Sequence, residues 1–166
     1  MQSITAFLQW LQALPLAVFI HKTPWAFTTI EVVHVFAVSL VIGTIAIVDL
    51  RLLGVASTKR PFVDLSRQVL PLTWVAFALA VIAGSLLFIS RATEYFGSTL
   101  FWIKMALIVL AGINMIVFEF ITVRGVEKWN LDPIPPPPAR LAGAISISCW
   151  LLVAGFGRWI GFTLQE

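Results

Sequence analysis

From Gln68 to Ser90 the chain runs for 23 residues without a single formal charge. A stretch of that length and character is enough to cross the roughly 30 Å hydrocarbon core of a bilayer as a helix. In lipid every backbone polar group must be satisfied within the segment, so the helical state is close to obligatory. Three other stretches have nearly the same character. The first runs over about 28–53, where His34 is the only ionisable residue between Glu31 and Asp49. The third, about 98–123, carries Lys104 near one end and Glu119 near the other, and the fourth covers about 140–162. Composition agrees: 60% of the 166 residues are hydrophobic and 11% charged, against about 25% charged in an ordinary soluble domain. The expected architecture is all-α, a single membrane domain over 1–166 built as an integral four-helix bundle.

Residues 3–20 are apolar but interrupted by Gln9, Gln12 and Pro15. They read as an N-terminal interfacial helix, with Phe7, Trp10 and Leu14 dipping into the lipid boundary and Pro24 breaking the chain after it. The first basic residue is Lys22, so a cleaved leader is not expected. The run Pro135 to Pro138 reads as a stiff extended spacer. With four spans, the first and third connections carry seven basic residues: Arg51, Lys59, Arg60, Arg67, Arg124, Lys128 and Arg140. The opposite side carries Lys22, Arg91 and Arg158. The positive-inside rule therefore places the basic connections in the cytoplasm and both termini outside, in a bacterial inner membrane. Because the cations flank apolar segments, nucleic-acid binding is set aside.

The metal-competent residues are few. Cys149 is alone, which excludes an intrachain disulfide and Cys-rich zinc or iron–sulfur sites. The chain has two histidines, His21 and His34, too few for a three-His zinc site.

Charges within a span cost about 2.5 to 3.5 kcal/mol each and normally face the bundle interior or sit near an end. Depth sorts them into two groups. Asp49, Arg51, Glu119 and Arg124 lie near the inner ends and read as a structural ion-pair network. Glu31, His34, Lys104 and Arg158 lie near the outer ends, with His21, Lys22, Arg91, Glu94 and Tyr95 in the adjoining segments. Gly157 and Gly161, at GxxxG spacing, suggest close helix contact and a homo-oligomer.

A b-type haem requires one or two axial imidazoles, an apolar slot and cations near its propionates. His34 is the best axial candidate. His21 caps the second face if the chain folds back around Pro24; otherwise the sixth position is empty or held by Met105. Lys22, Arg91 and Arg158 suit the propionates, and Phe36, Phe101 and Trp102 the ring. The plain alternative is that His34 hydrogen-bonds a neighbouring helix and Lys104 snorkels outward. Copper is a weaker reading, with three methionines and no Met-rich or His-rich tract.

The stretch EVVHVFAVSLVIGTIAIVDLRLLGV, Glu31 to Val55, has a His near the start of a span, a Gly nine residues on and an Asp-Leu-Arg-Leu-Leu-Gly exit. It resembles an uncharacterised family of small bacterial four-helix membrane proteins. More distantly it is similar to the copper-resistance CopD-like proteins and to the HemJ-type membrane protoporphyrinogen oxidase. That oxidase binds haem b and uses a His in an early span and a Lys in a later one. The resemblance implies matching roles for His34 and for Lys104 in FWIKMALIVLAGINMIVF. The oxidase has a Pro-Arg-Leu exit followed by His where this chain has DLRLLG, so haem binding carries over better than porphyrinogen oxidation. The expected function is a haem-binding protein of electron transfer or redox chemistry, with a tetrapyrrole oxidase or a copper-handling or structural protein as alternatives.

Overall fold

The computed structural model describes residues 2–163, and side chains from residue 3. The described residues form helices joined by short connections: α1 (Gln2–Ala13), α2 (Pro15–Lys22), α3 (Pro24–Leu52), α4 (Phe62–Ser90), α5 (Ala92–Gly97), α6 (Thr99–Val117) and α7 (Pro137–Thr163). After α6 the chain passes through a π-turn, Phe118–Thr122, and a 3-10 turn, Val123–Lys128. Four helices are long and apolar enough to cross a membrane, the third of them including these turns as Thr99–Lys128.

Prolines set several of the boundaries. Pro15 and Pro24 each occupy the first turn of a helix, where their missing N–H has no intrahelical partner to lose. The segment expected as one interfacial helix is thus two helices bent by 70° at Leu14. The spacer expected at 135–138 is shorter than the proline run, because Pro137 and Pro138 begin α7. Pro71 is carried within α4.

The spans pack in the order α4, α3, α7, α6. Between α3 and α4 the Thr73 hydroxyl donates to Thr44 Oγ1 at 2.9 Å, and between α6 and α7 Asn114 Nδ2 donates to the Ala142 carbonyl at 3.0 Å. The α3–α7 seam is tightest at Gly143, where a Cβ would lie 3.1 Å from the Asp49 carbonyl oxygen and 3.0 Å from Leu52 Cβ. The ends of the bundle are called outer and inner below, after the charge-based orientation; α5 lies at the outer end. There Phe88 of α4 and Phe101 of α6 stack at 5.4 Å, but α4 and α6 form no extended contact.

The inner end is closed by Phe62, with Phe118 and Trp129 ring centroids 5.8 and 5.2 Å away, packed with Val48, Leu52 and Ala139. It is also stitched by Arg51, whose side chain is fully buried. Arg51 Nε donates to the Arg60 carbonyl at 3.0 Å, and Nη2 to the carbonyls of Asn130 and Asp132 at 3.2 and 3.0 Å. Asn130 in turn accepts from the first N–H groups of α4, its carbonyl from Phe62 and its Oδ1 from Val63, both at 3.0 Å. Gly54, at φ 72°, turns the chain out of α3 close beneath the Pro133 carbonyl, 3.2 Å from where a Cβ would stand. The expected ion-pair network of Asp49, Arg51, Glu119 and Arg124 is therefore corrected. Backbone carbonyls of two loops accept from Nε and Nη2 of Arg51 while Nη1 is buried without a hydrogen-bond partner, and among the described residues the ion pair is Arg91–Glu94 at the opposite end.

Candidate functional site

Three ionisable side chains enter the outer half of the bundle, and each lies beside a glycine of a neighbouring helix. His34 of α3 lies on Gly84 of α4: a Cβ there would come within 2.9 Å of the imidazole Cε1 and 3.3 Å of Nδ1. Lys104 of α6 lies on Gly157 of α7, 3.4 Å from such a Cβ to Nζ. Glu31, one turn before His34, reaches Gly161, with Oε1 at 3.9 Å. Glycine makes the room because a helix surface without a side chain can admit a neighbour's bulk. Gly157 and Gly161, read from sequence as a face for self-association, are occupied by Lys104 and Glu31 of the same chain.

His34 Nδ1 lies 2.9 Å from the carbonyl oxygen of Ala80. A carbonyl accepts only, so Nδ1 carries the hydrogen and Nε2 of the neutral ring is left with its lone pair. Lys104 lies within electrostatic range of that ring. The imidazole is half-buried, held in orientation by one hydrogen bond and one glycine notch.

Above it, Tyr95 of α5 is close enough to Arg91, Glu31 and Glu94 to feel their charges. Burial pushes its phenol above the ordinary value, against the pull of Arg91 and with the help of the two carboxylates. Phe101 stacks with Phe88 and packs near Tyr95, with centroids 6.0 Å apart. Arg91 pairs with Glu94 at 3.5 Å and covers the Phe27 ring at 5.2 Å.

The remaining candidates lie elsewhere. His21 and Lys22 are exposed at the end of α2, and His34 is ten residues into α3, about 15 Å along its axis. Arg158 is exposed and lies over Phe162 at 4.6 Å. Trp102, 49% exposed, donates to the Phe96 carbonyl at 2.9 Å and so ties α5 to α6, while Phe36 is 69% exposed. Thus His34, Lys104, Glu31 and Tyr95 share one region, and Trp102, Phe36 and Arg158 turn toward the surroundings. Sequence reasoning did not single out Gly84. Its signal was an isolated Gly within an apolar helix, which in a membrane bundle marks a close approach.

The residues present offer one candidate axial donor for a tetrapyrrole iron, His34. An imidazole whose Nδ1–H is engaged by a backbone carbonyl is oriented as metal-ligating histidines commonly are, and a cation stands in the same region. A copper site has less to draw on: among the described residues no three His, Cys, Asp or Glu side chains come together, and Cys149 is buried.

No curated protein and no solved structure matches the chain. The likeness to the CopD-like proteins and the HemJ-type oxidase accordingly has no counterpart in these comparisons. Residues 7–163, nearly the whole chain, match the model of a family of unknown function, DUF6644, and the chain belongs to that family.

Proposed function

We propose that this membrane protein binds one b-type haem in the outer half of its bundle, with His34 as the axial ligand, and serves electron transfer or related redox chemistry in a bacterial inner membrane. The observation that carries this reading is the His34–Ala80 hydrogen bond. It fixes the tautomer that presents a basic Nε2, and it raises the basicity of that nitrogen, as carbonyl partners of ligating imidazoles do. Bound there, haem would supply a one-electron couple.

The chain's own residues supply the rest. Lys104 offers a positive charge where a propionate or another carboxylate needs one. Gly84 keeps the imidazole against α4, and the aromatic group around Phe101 limits water entry from the outer side. His21, exposed on α2, has no part in this proposal, in which His34 would be the one side chain the protein gives to the iron. The closeness of Lys104 to His34 also favours a second reading, an enzyme acting on the carboxylates and ring of a bound porphyrinogen.

The test is an absorbance spectrum of the purified protein, oxidised and dithionite-reduced, after expression with ample haem supply. The expected result is a Soret band that shifts on reduction with one broad visible band, as a single axial imidazole gives, lost in His34→Ala and kept in His21→Ala; sharp α and β bands on reduction would mean a second axial ligand. A colourless protein, or a spectrum that persists in His34→Ala with unchanged helical content, overturns the proposal. Turnover of protoporphyrinogen that requires Lys104 would select the enzyme reading.

A further inference from the structure

A second feature of the bundle lies away from His34. A cavity of about 940 Å³ occupies the inner half, between α4 and α6 and backed by α3 and α7. Its upper limit on α3 is Val41, seven residues or about 10 Å below His34. The walls are mainly apolar and aromatic, among them Ile45, Trp74, Phe77, Ile108 and Trp150. A volume of this size is at the upper end of small-molecule sites. Its two rims, α4 and α6, form no extended contact with each other, and both are spans, so the cavity is approached from hydrocarbon rather than from water.

One hydrogen-bond acceptor in this wall lacks the donor that would satisfy it. Asp49 is 4% exposed, and its Oδ2 is buried with no hydrogen-bond partner among the described residues. Ser146, also in the wall, is within reach of the same carboxyl group. In lipid each missing bond of this kind is costly. A ligand suited to the site brings a hydrogen-bond donor on an apolar body.

We infer that this cavity binds a lipid-soluble molecule bearing a hydroxyl group, an alcohol or a phenol, which enters between α4 and α6 and donates to the Asp49 carboxyl group. The site is separate from His34 and does not depend on haem.

The probe is 4-octylphenol, titrated calorimetrically into phosphatidylcholine nanodiscs holding the full chain, with empty nanodiscs as the blank. Its methyl ether, 4-octylanisole, has the same body without the donor. The expected result is saturable binding of one phenol per chain, at least about tenfold tighter than the ether, as one well-made hydrogen bond provides. Asp49→Asn should bring the two ligands within about twofold of each other, since an amide can donate as well as accept. Gly112 lines the cavity, and a Cβ placed there meets nothing within 4 Å. A larger side chain can therefore start into the cavity there, and Gly112→Phe, which narrows the space, should weaken binding at least about tenfold; Gly112→Leu serves if the larger ring impairs folding. Binding of 1-decanol in the same titration as tight as that of 4-octylphenol assigns the site to aliphatic alcohols, and weaker binding to phenols. Uptake no greater than in empty nanodiscs, equal affinity for phenol and ether, or binding unchanged in a folded Gly112 variant would each overturn the inference.

Discussion

The contact between His34 and Gly84 can be tested by adding one methyl group. In Gly84→Ala the new Cβ would stand 2.9 Å from Cε1 and 3.3 Å from Nδ1 of the imidazole, too close for carbon and nitrogen, so the ring or the helix must retreat. The retreat weakens the 2.9 Å bond to Ala80, worth about 0.6 kcal/mol on average in membrane bundles and up to about 1.7. Overpacking adds about 1 to 3 kcal/mol. Opposing these is the helix-propensity gain of Ala over Gly, about 1 kcal/mol. The net expectation is a loss of about 1 to 3 kcal/mol. Gly43→Ala, in α3 with nothing within 4 Å of the added atom, keeps the gain and carries no clash. Equilibrium unfolding in mixed micelles, followed by helical circular dichroism, should therefore separate two chemically identical substitutions by about 2 to 4 kcal/mol. In a His34→Ala background the cost of Gly84→Ala should vanish, which a double-mutant cycle would show as coupling. Equal stability of Gly84→Ala and Gly43→Ala, or a cycle without coupling, refutes the view that Gly84 exists to seat His34.

Two further outcomes follow from the ends of the bundle. Tyr95 is the single tyrosine of the chain, so absorbance at the phenolate band reports it alone. Burial raises its folded-state value, and the stability it contributes is present below about pH 10, the ordinary value, and lost as pH rises through the folded value. Its titration midpoint should lie above about 10 in the native protein and return toward it on unfolding, and a native midpoint at or below that value would contradict the buried setting. At the inner end, Arg51→Lys replaces a planar fork that spans two loops with a compact ammonium group. Lost charge-assisted bonds of this kind cost about 1.5 to 3 kcal/mol each. The variant should lose at least about 3 kcal/mol and gain protease sensitivity in the 54–61 and 130–136 connections; unchanged melting and proteolysis would contradict the role given to the guanidinium.

The spans were legible because lipid depth imposes a simple rule on sequence: charges such as Asp49, Arg91 and Lys104 cluster near helix ends and leave long neutral runs between them. The rule gives depth and leaves rotation about the axis open. Asp49, Arg51, Glu119 and Arg124 do share a depth, but Arg51 points at loop carbonyls some eighty residues away in sequence. No spacing pattern announces such partners. Helices that meet lipid or one another on every side also lack the polar stripe by which soluble helices reveal their buried face. The order α4, α3, α7, α6, and the cavity it leaves, were therefore not readable. The same limit applied at the outer end. His34 and Lys104 were recognisable as expensive residues, whereas Trp102 and Arg158 share their depth but face away. Gly157 and Gly161 announced a close approach without saying whose side chain would use it.

Arg51 also has a bearing on the order in which the protein is built. One of its partners, Arg60, emerges from the ribosome nine residues later, but Asn130 and Asp132 follow only after α4 and α6 have been synthesised. Until then the first hairpin holds a guanidinium group that must stay at the watery surface. Its final burial awaits the third connection, so the last hairpin completes the seal on the first.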